Sequence, residues 1–274
     1  MRHIWLCADD YGISASVNVA IRDLVVRGRI NATSVMMTAP SFHRSEAKAL
    51  NDLNAGARRV GLGLHVTLTA PYRPLSAGFE PLRDGNFPSL QSMLARACLR
   101  SLKPAALTAE IASQVRAFVD HFGRAPDFID GHQHVHLFPQ VRDAVLAIAK
   151  AQAPDAWVRQ CGRVAPLRGL TDPKGLLLDV FSRAFRRRAA ALGVRTNPAF
   201  AGTYHLGVKA DFAAIFPRFL DRLPDGGVVM CHPGFVDTEL QRLDTLTTLR
   251  EQEYAFFAGD VFPALIERLG VALA

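Results

Sequence analysis

The chain of 274 residues predicts an α/β protein, a single-domain, irregular (β/α) TIM-like barrel with mainly parallel strands. Three observations predict it. Short apolar runs of strand length alternate with helical patterns along the chain, the order that a parallel sheet with crossover helices requires. The runs are close to continuously apolar, as at Gly227-Val228-Val229-Met230, which suits strands covered on both faces. With 49% hydrophobic residues the chain can fill one large core, and no linker, internal repeat or low-complexity tract divides residues 1–274.

The elements follow in order. A strand over Ile4–Ala8 leads to a helix from about Ser16 to Arg27, with Val17, Ala20, Ile21 and Leu24 on one face and Ser14 or Ser16 able to cap it. A strand at Thr33–Met37 precedes a helix at Phe42–Leu53, and Gly61–Leu68 forms a strand after the basic pair Arg58-Arg59. A helix near Thr108–Phe122, a strand near Asp127–Ile129, a helix at Val141–Ala151 and a strand near Ala156–Arg159 come next. Gly227–Cys231 is the last strand before the closing helices. Three stretches interrupt this alternation, Ala70–Pro88, Gly162–Lys174 and Asn197–Val208. Long loops in compact domains often carry function, so these are expected to wall a cleft.

A formal charge of +7 and a sequence pI near 9.6 favour anionic partners but do not bear on fold. Much of the excess is local: Arg183, Arg186, Arg187, Arg188 and Arg195 lie beside Leu176, Leu177, Leu178, Val180, Phe181 and Phe185, the pattern of a basic amphipathic helix. An ordinary solvated helix fits this pattern, and so does a contact with a membrane surface or an anionic substrate. No zinc-finger, RNP or helix-turn-helix signature accompanies the arginines, so nucleic acid is not an expected partner. The apolar runs fall far short of the roughly 20 residues that a membrane helix needs. Met1–Ala8 meets Asp9-Asp10 with no signal-peptide h-region, so a cytoplasmic location is expected. Cys7, Cys98, Cys161 and Cys231 are scattered without C-x-x-C spacing, which predicts reduced thiols rather than a disulfide framework or a thiolate metal site.

Five places carry candidate chemistry. Asp130-Gly131-His132-Gln133-His134-Val135-His136 sets three imidazoles at alternate positions behind an aspartate, where a strand is expected to end before Pro139. Alternate side chains of extended chain share a face, and imidazole beside carboxylate is the usual make-up of a divalent metal site. Asp9-Asp10-Tyr11-Gly12 closes the first strand. Adjacent carboxylates there call for a cation or a retained proton, and as neighbours in extended chain they are expected to diverge, one binding metal and one facing the attacking water. His65 lies within the glycine-led strand Gly61-Leu62-Gly63-Leu64-His65. A carboxylate with two imidazoles would leave coordination positions for water and substrate. His232, ahead of Pro233-Gly234, is a further ligand or an acid, and Arg159 at another strand end could orient a carboxylate. No G-x-S-x-G elbow, Walker loop or G-x-G-x-x-G fingerprint is present.

Taken together, Ala8-Asp9-Asp10-Tyr11-Gly12-Ile13-Ser14 with Asn18, Gly63–Thr69, the Asp130–Pro139 block, Phe200-Ala201-Gly202 and Cys231-His232-Pro233-Gly234 resemble the YdjC-like carbohydrate deacetylases, a family that includes chitooligosaccharide and hopanoid-associated deacetylases. The resemblance spans nearly the whole chain. It implies an irregular (β/α) barrel and metal-dependent removal of N-acetyl groups from amino sugars such as N-acetylglucosamine oligosaccharides or glycoconjugates. It carries the metal to Asp10, His65 and His132, with His134 and His136 as alternatives to His132. The ion, magnesium or zinc first and manganese or cobalt next, would polarise the acetamide carbonyl and lower the pKa of its water. Asp9 would take the proton of that water, Arg159 would fix Asp9, and His232 would protonate the departing amine. Backbone N–H groups around Tyr11–Gly12 are candidate oxyanion donors. Tyr11, His134, His136, Pro233 and Gly234 are expected against the substrate. An amidohydrolase or phosphoesterase acting on a non-sugar substrate, and a non-catalytic carbohydrate-binding protein, are the alternatives. An N-acetylated sugar or lipid-linked glycan is the expected partner, with a homodimer and a peripheral membrane contact through Arg183–Arg195 left open.

Overall fold

A computed structural model describes residues 1–56, 60–164, 173–204 and 211–274. The Arg58-Arg59 pair, residues 165–172 of the Gly162–Lys174 stretch and residues 205–208 of Asn197–Val208 lie outside the described residues.

The central strand β1 (Arg2–Tyr11) pairs with β2 (Ala32–Val35) on one side and with β7 (Val228–Cys231) on the other. Beyond β2 lie β3 (Gly61–Val66), β4 (Phe128–Gly131) and β5 (Trp157–Val158), and beyond β7 lies β6 (Phe200–Ala201). β8 (Val271–Leu273) pairs with the first residues of β1. Every pairing is parallel. The circuit closes through irregular chain: Val158 N–H donates to Arg195 O at 2.8 Å, and Phe200 N–H donates to Gly162 O at 3.2 Å. The sheet is therefore an irregular barrel, and β1, β3, β4 and β7 are buried along nearly their whole length. The expected strands are present within a few residues of their expected bounds.

The helices α1 (Ala15–Val26), α2 (Arg44–Leu53), α3 (Leu90–Cys98), α4 (Pro104–Phe122) and α5 (Val141–Gln152) precede α6 (Pro173–Leu192). Ser14, not Ser16, caps α1 by accepting Val17 N–H at 3.3 Å. α4 begins on Pro104, whose missing N–H costs a first turn nothing, and ends on Gly123 at φ 71°. The later helices are α7 (Phe212–Leu220), α8 (Thr238–Leu243), α9 (Thr248–Ala258) and α10 (Val261–Arg268). β6, β8 and α3 were not expected, because two- and three-residue strands carry no periodicity and α3 sits behind a Pro/Gly-rich loop. Among the described residues no helix is long and apolar enough to cross a membrane.

α6 corrects one expectation about its faces. Leu178, Ser182, Phe185 and Ala189 recur at helical spacing and are buried, while Arg183, Arg186, Arg187 and Arg188 point outward. Leu177 and Val180, expected on the apolar face, are 42% and 63% exposed beside the arginines.

The His132–Leu137 segment differs more. β4 stops at Gly131, and the chain turns into a 3₁₀ helix in which Gln133 and His134 take φ 54° and 60°. The three histidines therefore do not share a face of a strand. The left-handed backbone at Gln133 and His134 kinks the segment, and the alternate side chains splay apart.

Candidate metal centre and active site

The site begins with an irregularity in β1. Ala8 pairs with Thr33 and Tyr11 with Val35, so β1 holds one more residue than β2 over that interval. The extra residue forms a bulge in which Asp10 takes φ 67°. Asp9 and Asp10 are both turned into the protein, 2% and 1% exposed. Each meets its own partners, and the bulge rather than the alternation of an extended strand makes the division.

Asp10 gathers the metal candidates. Its Oδ1 lies 3.2 Å from His65 Nε2 and 2.9 Å from His132 Nδ1. His65 comes from β3, and His132 is the first residue beyond β4. The outward sides of these groups are clamped. Strand register sets His65 beside Asp130, and its Nδ1 lies 2.6 Å from Asp130 Oδ1, while Ser34 Oγ is 3.0 Å from the same nitrogen. Asp10 Oδ2 accepts from Arg250 Nη2 at 2.6 Å, and the same nitrogen reaches Asp244 Oδ2 at 2.6 Å.

Asp9 belongs to Arg159. Nη1 donates to Asp9 Oδ2 at 2.6 Å and Nη2 to Oδ1 at 2.8 Å, while Nη2 is also 2.6 Å from Asp130 Oδ2. The guanidinium is 1% exposed. It thus bridges the base candidate to the carboxylate that orients His65.

These charges set the protonation states. Burial alone would raise the pKa of Asp9, but Arg159 outweighs it and holds the carboxyl well below the usual range. Burial likewise opposes the Asp10 carboxylate, and His132 and Arg250 overcome it. His65 loses solvation, but Asp130, Asp10 and Asp9 raise its pKa to about 10, so it carries a proton in the metal-free protein.

The residues fit a divalent cation. Asp10, His65 and His132 offer one oxygen and two nitrogens converging within a buried cluster. The set has no thiolate, and carboxylate and arginine second partners orient it as metal sites require. A second grouping among the described residues, Cys7, Asp9 and Asp130, is a weaker candidate because Arg159 already bridges its two carboxylates.

His232 follows β7 and is partly exposed, close enough to Asp9 and Glu253 for its charge to lower both pKa values. The backbone N–H of His232 donates to Glu253 Oε2 at 2.5 Å, and the Tyr204 hydroxyl donates to Glu253 Oε1 at 2.6 Å. Glu253 is fully buried, and burial pushes its pKa up.

Other expected contacts fall elsewhere. His136 is fully buried, and its Nε2–H donates to Arg159 O at 2.9 Å. Burial lowers its pKa to about 4, so it is neutral and lies beneath the site rather than against a substrate. His134 Nδ1 lies 3.5 Å from Cys161 Sγ and its ring meets Phe200 edge-on, with 7% exposure. Tyr11 donates its hydroxyl to Glu46 and accepts from Arg22 at 2.8 Å, so its phenol is committed between α1 and α2. Gly12 N–H, expected as an oxyanion donor, is 2.6 Å from Asn18 Oδ1 and is used there. Gly234 N–H donates to Arg250 O at 3.1 Å, and a Cβ on it would come within 2.8 Å of Val17. Pro233-Gly234 is thus tight packing that seats His232 and Arg250. Arg250, Asp244, Glu253, Ser34 and Tyr72 were not anticipated. Leu249-Arg250-Glu251-Gln252-Glu253 reads as an ordinary charged helix face, and nothing in it separates the buried charges from the solvated ones.

Residues 3–268 match the family model described as YdjC-like protein. The chain is 26% identical over 254 residues to a chitooligosaccharide deacetylase of Escherichia fergusonii, covering 91% of this chain and 84% of that one. It is 25% identical over 269 residues to a carbohydrate deacetylase of Clostridium beijerinckii, covering 92% and 93%. Its fold is similar to that of a protein of Enterococcus faecalis V583 proposed to cleave cellobiose phosphate, with a TM-score of 0.76, 21% identity and coverage of 100% and 97%. With the family model spanning nearly its full length, the chain belongs to the YdjC-like protein family.

Proposed function

We propose that residues 1–274 form one carbohydrate deacetylase domain that hydrolyses the N-acetyl group of an amino sugar, with Asp10, His65 and His132 holding a divalent cation. The observation that carries this reading is the pairing of Asp9 with Arg159 directly beside the Asp10–His65–His132 cluster, with His232 close to Asp9. A structural metal site needs no such spare base and acid. The names of the two deacetylase relatives point to the same chemistry.

When bound, the cation supplies Lewis acidity at the acyl oxygen and acidifies water. Arg159 holds the Asp9 carboxyl well below the usual range, so Asp9 is ionised and has no proton of its own to lose before it accepts one. Water adds to the acyl carbon as its proton passes to Asp9. The C–N bond then breaks while His232 gives a proton to the nitrogen. Acetate and a free amine result: the proton on Asp9 returns to His232, which restores both groups, and the proton left on the carboxyl product passes to solvent. Arg159 pairs with Asp9 as Arg250 pairs with Asp10, which offsets the repulsion between the adjacent carboxylates.

The test is acetate release from N-acetylglucosamine oligomers by protein loaded in turn with zinc, magnesium, manganese and cobalt, read by mass spectrometry as loss of one acetyl unit. Phosphate release from phosphoesters with no acetate release would replace this reading with a phosphoesterase.

A further inference from the structure

The Pro/Gly-rich stretch Ala70–Pro88 brings Tyr72 against the metal cluster. Its ring stands edge-on to His132, centroids 5.6 Å apart and planes at 89°. Tyr72 is 3% exposed, and its oxygen has no hydrogen-bond partner among the described residues. A buried hydroxyl left unpaired costs about 1–3 kcal/mol, so its place calls for a partner that arrives with the reaction. The surrounding backbone is fixed: Phe87 N–H donates to Tyr72 O at 2.9 Å, and Ala70 N–H to Pro88 O at 2.9 Å. Leu75 N–H and Ser76 N–H anchor to the fully buried Glu110 at 3.1 and 2.8 Å. Another unpartnered donor nearby, Arg250 Nη1, belongs to a guanidinium already committed to Asp10 and Asp244.

Gly12 N–H is spent on Asn18 and does not serve as the oxyanion donor. We propose that the Tyr72 hydroxyl is that donor, a catalytic residue that meets the acyl oxygen as it gains negative charge. The assignment rests on the deacetylase reading for its substrate. It divides the site into a proton-accepting side at Asp9 and Arg159 and an oxyanion side at Tyr72. Donors preorganised on developing charge are worth about 10²–10³-fold in kcat.

Tyr72→Phe keeps the ring against His132 and removes only the donor. Two measurements test it on divalent-loaded full-length protein. Calorimetry with methylphosphonate, a tetrahedral anion, is expected to show binding that weakens about 10-fold or more in Tyr72→Phe, the loss of one hydrogen bond to a charged group. Turnover on N-acetylglucosamine oligomers is expected to fall about 10²-fold in kcat with KM and metal content held. Equal methylphosphonate affinity in the two proteins, or no binding by the wild type, overturns the assignment. So does a rise in KM at unchanged kcat, which would make Tyr72 a contact of the ground state. A wild type that releases no acetate but binds methylphosphonate through Tyr72 overturns the deacetylase reading and supports the oxyanion role.

Discussion

At the scale of residues, the site is a chain of buried charges in which the two adjacent carboxylates Asp9 and Asp10 are paired with different guanidiniums. Asp9 is paired with Arg159, and Asp10 with Arg250, so the adjacent acids do not need to share a proton. Asp9→Asn keeps the shape of the pair and removes the proton acceptor. Acetate release should fall about 10²–10⁴-fold, with metal content unchanged by elemental analysis, and near-wild-type turnover would remove Asp9 as the base. Arg250 has a different role. Removing one partner of a buried ion pair leaves the other uncompensated, so Arg250→Gln should cost metal-free protein about 3–5 kcal/mol in urea unfolding. Added divalent ion should recover part of that loss, because the ion replaces the guanidinium as counter-charge to Asp10. A loss of the same size with and without metal would place Arg250 in the scaffold alone.

At the scale of elements, close strand packing positions the candidate ligands. Gly63 of β3 faces Phe128 of β4 in register, and a Cβ on Gly63 would come within 2.2 Å of that ring. Phe128 stacks on Trp157 at 4.7 Å, so β3, β4 and β5 are locked side by side with His65, Asp130 and Arg159 close to their ends. Gly63→Ala should therefore lower stability by about 1–3 kcal/mol through overpacking. Chemical denaturation checks the energy, and weaker metal binding would show that the strain reaches His65. The glycine-led strand motif was legible in the sequence, but its cause was not, since Phe128 lies 65 residues away. The three histidines of the Asp130–Pro139 block show the converse. Their spacing was visible, yet positive φ at Gln133 and His134 converts a strand end into a 3₁₀ turn and sends one ring to Asp10, one to Cys161 and one to a backbone carbonyl.

At the scale of the whole molecule, the buried ionisable groups give metal-free protein an optimum of stability. His65, raised from 6.5 to about 10, contributes stability that is complete below pH 6.5 and is lost as pH rises toward 10. His136, lowered from 6.5 to about 4, refuses a proton that the unfolded chain accepts, so stability falls as pH drops from 6.5 to 4. Asp9 and Asp10, held below 3.8, withdraw their contribution as pH falls through and beneath that value. Thermal unfolding of metal-free protein should peak near pH 6.5, from the 6.5 at which both histidines titrate when unfolded. Divalent ion should flatten the alkaline limb, because a ligating His65 must be neutral already. A metal-free profile that is level from pH 6.5 to 10 would show that His65 does not carry its proton there.

The sequence by itself determined the α/β class, the parallel barrel, the order of its main strands and the motif set that marks the family, because periodicity and strand-end residues are local properties. Its candidate base, acid and ligands lie at those strand ends for the same reason. Only the tertiary structure decided how the charges are shared: that Asp10 turns on a bulge, that Arg159 joins Asp9 to Asp130, and that Arg250 and Glu253 of α9 come in beneath β1 and β7. It also decided that Tyr72, from a loop without periodicity, stands edge-on against His132. These are meetings of side chains up to 240 residues apart. Their free energy depends on burial and on the neighbouring charges, and neither exists until the chain has folded.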